Sequence, residues 1–141
     1  MKLTSRRGSR RAAALWAALR IGLGVAALRK PRMASRVWLG SEASRGLTPV
    51  VLGRAAGGRD VALGAGTVAC ALTGVPLRPW VLAGGGADAV DAVTTWLAGP
   101  DLPRWRRNVV TAVSAGSALT AVFLATQVDR RPSRLLRRGR G

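Results

Sequence analysis

Five ionisable side chains stand inside stretches that are otherwise small and apolar. Arg59 and Asp60 are adjacent within Gly57 to Thr67, Asp88 and Asp91 lie within Gly84 to Val93, and Arg20 sits in the run from Ala12 to Leu28. A carboxylate pair beside a guanidinium can move a proton, but no nucleophile or oxyanion device accompanies this one. With no histidine and a single cysteine, Cys70, there is no set of metal ligands. The glycines around Arg59 match neither a phosphate loop nor a dinucleotide fingerprint. No cofactor is therefore expected, and no enzymatic activity. What remains is charge pairing.

Charge pairing matters because of where these residues lie. The chain has 141 residues, enough for one domain. Its Lys and Arg residues cluster before Ala12, after Asp129 and between apolar stretches of roughly 17 to 20 residues, the length that crosses a bilayer core. The pattern predicts an all-α integral membrane bundle of four transmembrane helices at 12–28, 49–74, 80–98 and 109–128. Residues 1–11 form a basic N-terminal tail and 129–141 a basic tail too polar to fold alone. A lone arginine or aspartate at the centre of such a span costs about 2.5 to 3.5 kcal/mol. The spans hold Arg20, Arg54 and Arg59 against Asp60, Asp88 and Asp91, three of each sign. The expected arrangement is a buried cluster of Arg20, Arg59, Asp60, Asp88 and Asp91 joining three helices.

Helix depth makes the cluster geometrically feasible. If Ala12 and Trp80 enter at one level, Arg20 and Asp88 are each eight residues in, roughly 12 Å deep. Asp88 and Asp91 share a helix face. Folding the second span back about Val75 to Pro79 sets Asp91 level with about Gly64, a gap to Arg59 of about 7 Å that an extended arginine covers. Gly53, Gly57, Gly64 and Gly66 are the expected points of close helix packing, Gly53 and Gly57 being spaced as a GxxxG pair. Gly22 and Gly24 offer the same on the first helix, where Trp16 and Arg20 are one turn apart and can stack.

The remaining elements follow from punctuation. Ser5-Arg6-Arg7 resembles the start of a twin-arginine signal, but Arg20 interrupts the apolar run and Gly24-Val25-Ala26 is a weak cleavage site, so the first helix reads as retained. Pro31 to Leu47 predicts a short amphipathic helix, Met33, Val37 and Trp38 on one face and Arg32 and Arg36 on another, stopped by Gly40. It either lies in the headgroup layer or packs on the bundle. Thr48 reads as the cap of the second span, with Pro49 at its first position. At about 39 Å that span exceeds the bilayer core, so it tilts or projects, or else breaks at Gly57-Gly58. Trp80 and Trp96 bracket the third span as interfacial anchors. Gly99-Pro100-Asp101-Leu102-Pro103 ends it. Ser114, Gly116 and Ser117 give the fourth span a small packing face.

The charge of +17 points to partners. Basic tails beside apolar spans attract anionic lipid headgroups of the bilayer, and a homo-oligomer or a membrane-protein partner is compatible with four short helices. Nucleic acid is disfavoured, because no aromatic platform is interleaved with the basic runs. Twelve Lys and Arg flank the spans on the side of the termini against eight on the other, favouring a cell-membrane protein with cytoplasmic termini.

The series Leu19-Arg20-Ile21-Gly22-Leu23-Gly24, Pro31-Arg32, Gly58-Arg59-Asp60-Val61-Ala62-Leu63-Gly64 and Ala87-Asp88-Ala89-Val90-Asp91-Ala92 resembles a family of small multi-pass membrane proteins common in actinobacteria that carry a domain of unknown function. The likeness covers about Ala14 to Thr126. It implies a helical membrane domain, in some relatives joined to a soluble lipid-binding domain, and brings no activity with it. Together the expectations are a non-enzymatic scaffold or accessory subunit, or alternatively a small transporter or proton- or ion-conducting unit using the intramembrane carboxylates.

Overall fold

The computed structural model describes residues 6–129; the C-terminal basic tail and the first five residues lie outside the described part. It is all-helical among those residues: α1 (Arg6–Arg29), α2 (Pro31–Leu39), α3 (Thr48–Thr73), α4 (Arg78–Leu97) and α5 (Arg104–Ala125), with one 3-10 turn at Gly99–Asp101. Proline and glycine set the boundaries. Pro31, Pro49 and Pro79 each sit in the first two positions of a helix. Gly40 and Gly74 close α2 and α3 at φ of 97° and 79°, a region closed to most side chains.

One detail differs from expectation, and one alternative left open is decided. Thr48 does not cap α3: Leu47 precedes it with helical torsions, so the threonine is already inside the helix and no side chain caps the end. Nor does α3 break at Gly57-Gly58. It runs for 26 residues, because Gly57 is where α1 approaches and the contact holds the helix through the weak spot.

The four long helices associate as two close pairs, α1 with α3 and α4 with α5. In the first pair a Cβ on Gly57 would stand 2.7 Å from the Gly24 carbonyl oxygen, and one on Gly64 would stand 2.8 Å from that of Ala17. In the second, a Cβ on Gly85 would stand 2.5 Å from the Ala121 methyl. Backbones meet where side chains are smallest, as in helix association without a hydrophobic driving force. Helices α3 and α4 follow one another in sequence yet touch less, since the Trp80 ring stands between them against Gly66. Gly53 packs on Pro31 and Ser35 of α2 rather than on the partner of Gly57, so the two glycines serve different neighbours.

Large apolar side chains are on the outside. Leu15, Leu19 and Leu23 form one stripe of α1, about 70% exposed (69%, 71% and 71%), and Leu72, Leu97, Val113 and Leu119 continue the surface. The interior is Ala, Gly, Ser, Thr, Asp and Arg at mid-height, with a modest apolar core of Leu77, Val81, Leu124 and Val128 towards the end holding the α3–α4 turn. Two helices, α1 and α5, are long and apolar enough to cross a membrane. The expected four are not all of that kind: Arg54, Arg59 and Asp60 in α3, and Asp88 and Asp91 in α4, dilute helices of otherwise adequate length.

Candidate functional site

The five charged residues meet, and they do so between the two helix pairs. Arg20 of α1 donates through one terminal nitrogen to Asp60 Oδ1 of α3 at 2.7 Å. Its other terminal nitrogen donates to Asp88 Oδ2 of α4 and to the Gly84 carbonyl at 3.2 Å. Arg59 of α3 takes Asp91 of α4 with both terminal nitrogens, at 3.0 and 2.7 Å, and reaches Asp60 at 3.3 Å. Asp60 therefore joins the two guanidiniums. Bidentate arginine–carboxylate pairs fix orientation as well as charge.

Ser117, read from sequence only as a packing residue, completes the network together with Trp16. Ser117 of α5 donates to Asp88 Oδ2 at 2.6 Å, and the Trp16 indole of α1 donates to Ser117 Oγ at 3.2 Å. One chain of hydrogen bonds, Trp16–Ser117–Asp88–Arg20–Asp60–Arg59–Asp91, thus touches all four long helices. The Arg20 guanidinium also lies 4.8 Å from the centre of the Trp16 ring, the expected stack, and that ring occupies the space beside Gly84. The signal for Ser117 was depth. It lies twelve residues before Asp129 and Asp88 eleven after Leu77, and Asp129 bonds the Leu77 amide.

Arg54, counted among the span charges, is not part of the network. It is exposed near the start of α3 and has no ion-pair partner among the described residues. The balance of three against three is therefore not realised: two guanidiniums face three carboxylates. Burial is also uneven. The Arg20 side chain is 6% exposed and that of Arg59 32%, so the network is closed at Arg20 and more open at Arg59.

A second clasp closes the end that holds both termini. Arg10 donates to the carbonyls of Cys70 (2.5 Å) and Val75 (3.0 Å), covering the open end of α3. Asp129 accepts from the backbone amides of Leu77 (3.0 Å) and Arg78 (2.8 Å), covering the start of α4. Each charge sits at the helix end whose dipole it complements. Both residues were assigned to tails; α1 instead begins at Arg6, because Arg10 has carbonyls to satisfy. At the other end, Trp38 of α2 turns inward to donate to Thr95 Oγ1 at 3.0 Å, leaving Met33 and Val37 as the exposed apolar face.

Among the described residues no group of carboxylate, histidine and thiol side chains could hold a metal ion. Comparisons with protein-family models, characterised proteins and solved structures return no match.

Proposed function

We propose that this chain is a four-span integral membrane protein acting as a non-enzymatic scaffold or accessory subunit, its charged network serving to lock two helix pairs in register. The observation that carries the reading is the inverted placement of side chains. Leucines at about 70% exposure surround an interior of glycine, alanine, hydroxyls and paired charges. In water that surface is a large contiguous apolar patch; in lipid it is the solvated face. Helices α3 and α4 then span as well, with Arg59, Asp60, Asp88 and Asp91 turned towards neighbours rather than acyl tails, as intramembrane ionisable residues require, and Arg54 near the start of α3. Participation of Trp16 and Arg20 in the network supports a retained first helix.

The close backbone packing inside each pair and the paired state of both arginines favour a structural role. One observation favours a second reading, a proton-conducting unit: the network holds one carboxylate more than it has guanidiniums, and its Arg59 end is the more open one. Asp91→Asn tests the two. A scaffold loses abundance in the membrane fraction, whereas a conductor keeps its abundance and loses proton flux in vesicles. Alkaline carbonate extraction tests the bilayer placement itself: the chain is expected in the pellet, and release by alkali or high salt would overturn the reading.

A further inference from the structure

The loop joining α2 to α3 encloses an open cavity of about 410 Å³ lined by Arg32, Arg36, Ser41, Ser44, Arg45 and Gly46. Three guanidiniums border it and no carboxylate does. Glu42 pairs with Arg45 at 2.9 Å, but the two side chains are 81% and 74% exposed, so water screens the pair and the cavity stays positive. Arg32 and Arg36, one turn apart on α2, have no ion-pair partner among the described residues.

The frame beneath these arginines is fixed. Ser35 is buried and donates to the Pro49 carbonyl at 2.7 Å, and Arg106 of α5 donates to the carbonyls of Arg36 and Val37, each at 2.8 Å. Helix α2 is thereby held from its middle towards its C-terminal end while its outer face stays open. On that face Met33 and Val37 are exposed beside Arg32 and Arg36, and Leu47 is exposed just past the loop.

We propose that this cavity seats the phosphate of an anionic membrane lipid, with Met33, Val37 and Leu47 against the upper acyl chain. The proposal rests on the bilayer placement above. Guanidiniums suit phosphate oxygens because their N–H groups are fixed in a fork and stay charged. An apolar edge beside the charged one is what an interfacial helix presents to lipid, and it favours a lipid phosphate over a free one.

The test uses the full chain purified in mild detergent and returned to nanodiscs of phosphatidylglycerol and phosphatidylcholine in equal amounts, with the lipids retained on re-extraction counted by mass spectrometry. The wild-type chain is expected to retain phosphatidylglycerol preferentially. The triple variant R32Q/R36Q/R45Q is expected to lose that preference, at a factor of about five per arginine near an anionic surface. A charge-matched variant at the opposite end, R7Q/R11Q/R78Q, is expected to keep it. Equal losses in the two variants, or no wild-type preference, would overturn the proposal, leaving only diffuse attraction. Displacement of the lipid by inorganic phosphate, but not by chloride at equal ionic strength, with no acyl-chain dependence, would overturn the lipid assignment. Carbonate extraction of the same preparations separates failure here from failure of the bilayer placement: a chain that stays in the pellet without lipid preference refutes only the headgroup seat.

Discussion

Arg59 holds Asp91 through both terminal nitrogens, at 3.0 and 2.7 Å, and this one contact ties the α1–α3 pair to the α4–α5 pair across the more open end of the network. Arg20 does the same at the closed end, where its side chain is 6% exposed against 32% for Arg59. The two arginines are therefore not equivalent. Removing one partner of a buried ion pair costs about 3 to 5 kcal/mol, because the other charge is left without compensation. Arg20→Met is expected to lose a figure of that order in detergent unfolding, since Asp88 is left with Ser117 alone and Asp60 with only its longer contact to Arg59. Arg59→Met is expected to lose less, since Arg59 is the more exposed of the two arginines and Asp60 keeps its bond from Arg20. Equal losses would show that burial does not grade the network.

Glycine substitutions separate packing from helix propensity. A Cβ on Gly24 or Gly57 would stand 2.6 or 2.7 Å from a backbone carbonyl of the facing helix, whereas Gly22 and Gly58 have nothing within 4 Å. Gly22→Ala and Gly58→Ala are expected to be neutral or to stabilise by up to ~1 kcal/mol through propensity. Gly24→Ala and Gly57→Ala are expected to lower the unfolding midpoint by forcing α1 and α3 apart. The four single variants in one unfolding series check this.

Asp129 caps α4 from outside the helix bundle proper. Asp129→Ala is expected to cost about 1 kcal/mol, the usual loss for an N-terminal cap. Amide exchange should rise at Leu77 and Arg78, the two amides it accepts from, while the mid-bundle amides keep their protection. Uniformly faster exchange would mean that the clasp supports the whole fold rather than one end.

The outward leucines give a chemical test of their surroundings. In a Cys70→Ala background, Leu19→Cys places a thiol in the exposed stripe of α1. Under the proposed bilayer placement it resists both a charged and a membrane-permeant maleimide in native membranes, because the addition needs the thiolate and therefore water, and reacts once the chain is denatured. Rapid labelling by the charged reagent would place that stripe in water.

Much of this arrangement was legible because it follows from depth and period. Arg20 and Asp88 stand level in α1 and α4, and they meet. The three-residue spacing of Asp88 and Asp91 keeps them on one side of α4, each with its own arginine. What escaped the sequence lies in partners of low specificity. A serine in an uncharged span, such as Ser117, reads as a small packing residue until a carboxylate at equal depth is recognised. Arg10 and Asp129 were hidden in charge-rich flanks, where one side chain in several has a helix end to cover. Arg54 was counted with the span charges but not in the expected cluster, and it is exposed near the start of α3. The inward turn of Trp38 depended on Thr95, 57 residues away in sequence.

The charge exchange between Arg59 and Asp91 is the most direct trial of the idea that opposite charges on separate helices hold this bundle together. Arg59→Asp and Asp91→Arg, singly and combined, are compared by folded yield in the membrane fraction and by detergent unfolding. Each single reversal sets like charges together and is expected to lower both readings, while the combined variant recovers most of the loss, a coupling of roughly 0.5 to 3 kcal/mol. A combined variant no better than the poorer single one would contradict that idea.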